Sequence, residues 1–206
     1  MSTLLTDGGV VGGKVMGNPV NDCYGSLTAA IATEITRIIP PHSEGRACVG
    51  NFAYLPAGTA HLLTIMVTVE ETIVSSDAAA SQAVVPFANL PESYDGGQIA
   101  AGDWVILQHE DGTYGAYKVS SLSGKNVTMS SNLTMKVLQN SKVFFMGAPG
   151  DHVNRQFQTV ANTLFTFIAS DFRIRAGTSK KGTPILFHSP NGTAAGSLQY
   201  LSYYYD

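Results

Sequence analysis

"AGDWVILQHEDGTYGAYKVSSLSGKNVTMSS", residues 101–131, decides the fold class of this chain. Two sets of positions alternate on each side of Asp111-Gly112, and a second turn signal follows at Ser123-Gly124. Before the turn the sets are Trp104, Ile106 and Gln108 against Val105, Leu107 and His109, and after it they are Tyr114, Ala116 and Lys118 against Gly115, Tyr117 and Val119. Alternation with a period of two is typical of β-strands. An Asp-Gly pair favours a two-residue type I′ hairpin turn, because both central positions of that turn need a positive φ. The stretch therefore predicts consecutive antiparallel strands joined by tight turns.

Similar short strands are predicted along most of the chain. They are "RACVGNFAYL", "TAHLLTIMVTVEETIV" and "KVFFMG", followed after Asp151 by "TLFTFIAS", "DFRIRAG", "TPILFHS" and "SLQYLSYYYD". "SLTAAIATEITRIIPP", residues 26–41, is compatible with either a short helix or a strand. We therefore expect an all-β fold of small antiparallel barrel or sandwich modules, with at most one short helix.

The composition changes along the sequence and predicts three segments. Residues 1–25 are rich in glycine and lack periodicity, which indicates an extended N-terminal arm. Residues 26–150 form a β-rich domain that includes a barrel-like meander at 101–148. Residues 151–206 form a C-terminal β segment, either separate or part of the same domain.

The low charge of the chain favours a surface that is shared with other proteins. Charged residues make up 13% of the sequence, against about 25% in an average domain. Lys and Glu are depleted from the cores of protein interfaces. The net charge of -3 and the lack of a long basic run argue against a nucleic-acid partner. No apolar run approaches the roughly 20 residues of a membrane span, and we expect no signal peptide, so synthesis in the cytoplasm is predicted.

Two local patterns resemble chemical sites, and each has a structural explanation. "GGVVGGK", residues 8–14, has phosphate-loop spacing, but Val15 follows where Ser or Thr is needed. Asp151-His152 is the best local candidate for a titrating or metal-binding group, but a polar loop is the default interpretation. The two cysteines, Cys23 and Cys48, are expected to be free thiols. We therefore predict no enzymatic activity, no cofactor and no metal site.

The aromatic residues allow an alternative function. Trp104, Tyr114 and Tyr117 are close in sequence, and exposed rings on one sheet face can stack on a carbohydrate or a base. Aromatic residues in strands more often pack in the core or against a neighbouring strand. A carbohydrate-binding or host-surface-binding module is therefore the rival prediction.

Five segments together resemble capsid decoration (cement) proteins and related β-rich virion proteins of tailed bacteriophages. These are "LTAAIATEITRIIP", "YLPAGTAHLLTIM", the 101–131 stretch, "KVFFMGAPGD" and "LFHSPNGTAAGSLQYLS", which span residues 26–206. The resemblance implies a non-enzymatic protein that assembles on the outer surface of the capsid, often as a homotrimer. It also implies a role in bridging major capsid subunits against the pressure of packaged DNA. It transfers no catalytic or ligand-binding residue to this chain.

Contact residues can be predicted from the composition of the chain and from the tendency of uncovered strands to bind a partner. The last strand is apolar on both faces and should be covered, and the glycine-rich arm can become ordered against a neighbour. The expected partners are the major capsid protein and further copies of this chain, with no nucleic acid and no membrane. A minor tail or fibre-base component would have similar features. The predicted contact residues are Val10, Val11, Val15, Met16, Tyr203, Tyr204 and Tyr205.

Overall fold

A computed structural model describes the chain over residues 10–11, 14–15, 35–41, 47–56, 60, 62–93, 96–151, 154–167, 182–190 and 196–205. Over these ranges the secondary structure is β throughout, in antiparallel sheets, so the expected all-β fold is confirmed. The strands are β1 (Val10–Val11), β2 (Lys14–Val15), β3 (Ile35–Ile39), β4 (Ala47–Pro56), β5 (Leu62–Val67), β6 (Glu70–Ile73), β7 (Val84–Pro86), β8 (Trp104–Gln108), β9 (Tyr114–Ser123), β10 (Asn126–Met129), β11 (Lys142–Gly147), β12 (Arg155–Gln158), β13 (Phe165–Phe167), β14 (Ile185–Ser189) and β15 (Gly196–Tyr205).

Most predicted strands are present, with a few differences. The helix-or-strand ambiguity at residues 26–41 is resolved for Ile35–Ile39, which is a strand, whereas residues 26–34 lie outside the described ranges. "DFRIRAG" also lies outside them. The strand Arg155–Gln158 was not predicted, because "RQFQ" lacks the β-branched residues that mark a strand.

The chain divides into two compact units, one of residues 1–64 with 156–206 and one of residues 65–155. The second unit contains the stretch from which the fold was predicted. The proposed three-segment division at residues 25 and 150 stays a prediction, since compactness alone does not define independently folding domains.

The second unit contains a six-stranded antiparallel sheet in the order β6-β11-β8-β9-β10-β7. The sheet curls until its two outer strands meet at an isolated bridge between Val74 and Phe87. Ser75 N donates to Pro86 O at 2.8 Å beside that bridge. Because the outer strands meet there, the sheet has the outline of a small barrel, which protects strand edges from other chains.

Apolar side chains fill the interior of this curled sheet. The central strand β8 is buried on both faces from Trp104 to Leu107, so it does not alternate between core and solvent as a half-buried strand would. A barrel of this size has room inside only for side chains. The interior residues are Val74, Ala78, Val85, Phe87, Ile99, Val105, Leu107, Tyr117, Val119, Val127, Met129, Leu133, Val137, Val143 and Phe145.

The turn between β8 and β9 differs from the predicted type I′ turn. Gly112 has a φ of 84°, but Asp111 does not have a positive φ. His109 N donates to Thr113 O at 2.8 Å, and Gly112 N donates to His109 O at 3.1 Å. These bonds define a three-residue loop with a single left-handed position, which glycine occupies. The Asp111 carboxylate accepts the Thr113 amide at 2.9 Å, which lets Asp111 keep an ordinary φ.

The other strands form a two-stranded sheet (β1-β2), a four-stranded sheet (β12-β5-β14-β3) and a three-stranded sheet (β13-β4-β15). In the four-stranded sheet, β14 pairs with β3 from Ile185 opposite Ile39 to Ser189 opposite Ile35. In the three-stranded sheet, β15 pairs with β4 over ten residues, which makes it the longest ladder described here.

Candidate functional site

Strand β15 carries three of the predicted contact residues. It is the outer strand in the order β13-β4-β15, so among the described residues one of its two backbone edges faces no strand. Its sequence, "GSLQYLSYYY", has no charged residue and no proline. Natural proteins normally protect long edge strands with such residues. The predicted contact residues in this strand are Tyr203, Tyr204 and Tyr205, which lie opposite Val49, Cys48 and Ala47 of β4.

The predicted arm residues lie in a different sheet. Val10 and Val11 of β1 pair with Val15 and Lys14 of β2 in a short antiparallel ladder. Met16 lies outside the described residues. The structure therefore brings Val10 and Val15 together as partners. It does not place either of them in the sheet of β15.

The aromatic platform predicted from Trp104, Tyr114 and Tyr117 is wrong. Tyr117 lies opposite Val105, the neighbour of Trp104 on β8, so the Tyr117 and Trp104 side chains face opposite sides of the sheet. Trp104 is 6% exposed and Tyr117 is 3% exposed. A stacking platform needs exposed rings on a common face. These rings contribute to packing instead, and the half-buried Tyr114 ring lies 6.1 Å from that of Phe144.

Asp151 has a structural role in the described residues. Its Oδ2 accepts the Ala148 amide at 2.9 Å and closes the turn after β11. A Cβ at Gly147, where φ is 70°, would lie 2.2 Å from the same oxygen, so the carboxylate needs a glycine there. His152 lies outside the described residues. Within the ranges given above, no three His, Cys, Asp or Glu side chains are grouped closely enough to hold a metal ion.

Asp103 is the second carboxylate at this end of the sheet. Its Oδ2 accepts the Ala100 amide at 2.7 Å. Burial raises the pKa of Asp103, the hydrogen bond from Ala100 opposes that shift, and the nearby charge of Asp151 adds to it. The Asp103 and Asp151 carboxylates each accept a backbone N–H and so stabilise turns. These two carboxylates alone do not define a catalytic site.

His109 is the centre of a polar cluster that the sequence did not reveal, in which His109 and Tyr117 are buried and Asp111, Thr113 and Thr134 are exposed. Its Nδ1 lies 3.0 Å from Oγ1 of Thr113, and its Nε2 lies 3.0 Å from the hydroxyl of Tyr117. The Tyr117 hydroxyl lies 3.0 Å from Oγ1 of Thr134 and accepts the Thr134 amide at 3.2 Å. Burial lowers the pKa of His109, and the negative charge of Asp111 partly opposes that shift. We call these five side chains the His109 cluster.

No helix in the described part of the chain is long and apolar enough to cross a membrane.

Comparisons with known proteins found phage capsid proteins at low similarity. No protein-family model matches the chain, and no curated protein matches its sequence. The VP16-VP17 complex, formed by the two major capsid proteins of bacteriophage P23-77, aligns over 89% of this chain and 95% of its own, at 8% identity and a TM-score of 0.23. VP17, a capsid protein of the same phage, aligns over 93% and 99%, also at 8% identity and a TM-score of 0.23. TM-scores of this size establish neither a shared fold nor a shared function.

Proposed function

We propose that this chain is a non-enzymatic virion structural protein that binds the outer surface of a phage capsid and bridges major capsid subunits. It acts as a homotrimer, and its partners are the major capsid protein and its own copies. The observation that carries the proposal is strand β15, a ten-residue edge strand without charge or proline. The sequence resemblance to decoration proteins supports the same role.

A strand with these properties is suited to binding another strand. The open edge presents a row of backbone N–H and C=O groups, and a second strand can satisfy them. A charged side chain on the edge would oppose such pairing, and β15 has none. The low charge of the whole chain, 13%, favours contact over a large area in the same way.

The curled sheet of residues 65–155 supplies the rigid part of this assembly. Its interior is filled with apolar side chains and its outer strands meet at Val74 and Phe87. A filled barrel provides a block that resists deformation, and it leaves no long strand edge open to unwanted partners.

The arm supplies a second contact, through Val10, Val11, Val15 and Met16. An arm that becomes ordered on a neighbour loses conformational entropy, but it covers a large surface in return. Many equivalent weak contacts around a capsid then act together and give strong overall attachment.

The test of the β15 contact uses purified chain and capsids that lack it, with binding measured by co-sedimentation and position determined by image reconstruction. Ser197→Lys with Ser202→Lys places a positive charge on each face of β15. We expect this double variant to bind at least about tenfold more weakly. The matched control is Ser121→Lys with Ser123→Lys, which changes two exposed serines of β9.

The outcomes separate the parts of the proposal. If wild-type chain fails to bind capsids, the capsid role is wrong. If the β15 double variant binds as tightly as wild type, the contact surface lies elsewhere. A chain that lacks residues 2–20 tests the arm, since unchanged binding would exclude its role. Density at the tail or at a fibre base, in place of the capsid lattice, would replace the decoration role by the tail alternative.

A further inference from the structure

The short bond between Thr113 and Asp111 selects one order of donors in the His109 cluster when His109 is neutral. The Thr113 hydroxyl donates to Oδ1 of Asp111 at 2.7 Å, which leaves its lone pairs to accept from Nδ1 of His109. The proton of His109 therefore lies on Nδ1, and Nε2 accepts from the Tyr117 hydroxyl. Tyr117 in turn accepts from the amide and the hydroxyl of Thr134. The chain of donors ends on the Asp111 carboxylate, which therefore fixes the tautomer of a ring two hydrogen bonds away.

A second proton on His109 conflicts with this order. The new N–H at Nε2 would point at the hydroxyl hydrogen of Tyr117, so the hydroxyls of Tyr117 and Thr134 would both have to reverse. The imidazolium would also lie in a site where the His109 side chain is only 5% exposed. Burial of a charge away from water is unfavourable. This burial lowers the pKa of His109, against the opposing effect of Asp111.

The titratable groups near His109 in the described ranges lie in three segments. Glu110 and Asp111 belong to the β8–β9 turn, Tyr117 belongs to β9, and Lys136 belongs to the segment that follows β10. The Lys136 ammonium lies 2.7 Å from the Asp77 carboxylate, so its charge is already paired. Among these groups Asp111 is the one whose charge favours protonation of His109.

The cluster also joins two segments that are distant in sequence. The β8–β9 turn contributes Asp111 and Thr113, and the segment after β10 contributes Thr134. One further bond connects the same two segments, since Glu110 N donates to Lys136 O at 2.9 Å. The turn is therefore fastened to residues 134–136 by backbone and side-chain bonds that have His109 at their centre.

We propose that the His109 cluster is an acid-sensitive latch. It fastens the β8–β9 turn to residues 134–136 while His109 is neutral, and it loosens that contact when His109 takes up a proton. Because the folded state disfavours the cation, the stabilisation from neutral His109 is complete above its ordinary pKa of about 6.5. It is lost as the pH falls below that value towards the lowered pKa of the folded state.

Amide hydrogen exchange tests the latch without any capsid. The reporters are the Glu110 amide, which donates to Lys136 O at 2.9 Å, and the Thr134 amide, which donates to Tyr117 at 3.2 Å. After correction for intrinsic exchange rates, we expect their protection to fall about tenfold between about pH 7.5 and about pH 5. The Val143 amide in the core strand β11 should keep its protection over the same range.

Two variants decide what causes any loss of protection. His109→Gln keeps a polar side chain but cannot be protonated, so its two reporter amides should be insensitive to pH. Thr113→Val removes the hydroxyl that connects His109 to Asp111. Nitrogen NMR of the His109 ring should then show that the proton no longer prefers Nδ1. The proposal is wrong if the wild-type reporters are unaffected by acid, if His109→Gln loses protection equally, or if the wild-type ring is already cationic at neutral pH. If His109→Gln does not fold, the wild-type protein alone decides the question. Protection of the Glu110 and Thr134 amides, relative to the Val143 amide, should then fall over the pH range in which NMR shows the His109 ring taking up its proton.

Discussion

Gly115 leaves no room for a side chain beneath the rings of His109 and Tyr117. A Cβ built on Gly115 would lie 2.6 Å from Cε2 of Tyr117 and 2.7 Å from Nε2 of His109. Its φ is not among the positive values found in the chain, so backbone conformation does not demand glycine here. Glycine is needed here because the rings of His109 and Tyr117 approach the backbone closely. This position therefore links the β9 backbone directly to the geometry of the His109 cluster.

Gly115→Ala should destabilise the protein by about 1–3 kcal/mol, because an added methyl group forces buried rings to move. The displacement should also lengthen the bond between His109 and Tyr117, so the reporter amide of Thr134 should lose protection even at neutral pH. Chemical denaturation and hydrogen exchange measure the two effects. Gly150→Ala is the matched control, since a Cβ there meets nothing within 4 Å. Equal stability of both variants would contradict the packing argument.

Trp104→Ala should cost about 3–5 kcal/mol, the range for loss of a large buried aromatic side chain. Trp104 is 6% exposed and begins the central strand β8. Urea denaturation with circular dichroism gives the change in free energy of unfolding. Leu164→Ala is the control, because Leu164 is 60% exposed and its truncation should change stability by less than about 0.5 kcal/mol. A stable Trp104→Ala variant that had lost binding to glycans would restore the platform prediction.

The all-β fold was predictable because the alternation of residues is local. The pattern that places Val105 and Leu107 of β8 on one face, with His109 directly after the strand, was already visible in the sequence. All three are buried. What the alternation could not reveal is that the opposite face of β8 is buried too, which requires knowledge of its place among other strands. The platform prediction failed for that reason.

The His109 cluster was not predictable as a whole, because one of its members, Thr134, comes from a segment outside the β8–β9 hairpin. Tyr117 and Thr134 are 17 positions apart in the sequence but bonded in the fold. A single histidine in the sequence gives no signal of its partners. Likewise, the Asp111-Gly112 pair indicated a turn correctly, but the turn type depended on the Asp111 side chain binding the Thr113 amide. Side-chain hydrogen bonds of this kind alter turn geometry without altering turn position.

Asp103→Asn should make the protein less sensitive to pH in the mildly acidic range. Burial and the charge of Asp151 raise the pKa of Asp103, so the folded state binds that proton more tightly than the unfolded state does. Wild-type stability should therefore decline relative to the variant as the pH rises from the ordinary aspartate pKa of about 3.9 through the raised value. The amide keeps an oxygen that can accept from Ala100.

Thermal unfolding of both proteins between about pH 2 and about pH 7 measures this difference and covers the range of the control. The control is Asp77→Asn, because Lys136 and the Gln139 amide lower the pKa of Asp77. The stability difference between wild type and Asp77→Asn should depend on pH in the opposite direction. The stabilisation from the Asp77 carboxylate is present above the ordinary aspartate pKa and is lost as the pH falls through the lowered value. Differences of the same sign in the two variants would refute the assignment for Asp103.

Asn154→Asp should be one of the more damaging single substitutions in the second unit. Asn154 is 6% exposed, its Oδ1 accepts the Val67 amide at 3.2 Å, and its Nδ2 donates to Met146 O at 2.9 Å and Ala148 O at 2.7 Å. An ionised carboxylate keeps the first bond but sets its negative charge against two carbonyl oxygens. Each unsatisfied buried group costs about 1–3 kcal/mol, and more when it is charged. We expect Asn154→Asp to be at least as destabilising as Asn154→Ala at neutral pH and to recover in acid, because a protonated carboxyl can donate one bond. Chemical denaturation of Asn154→Asp at neutral and at acidic pH measures the free energy of unfolding. If the loss of stability is the same at both, altered packing and not the loss of hydrogen-bond donors is the cause.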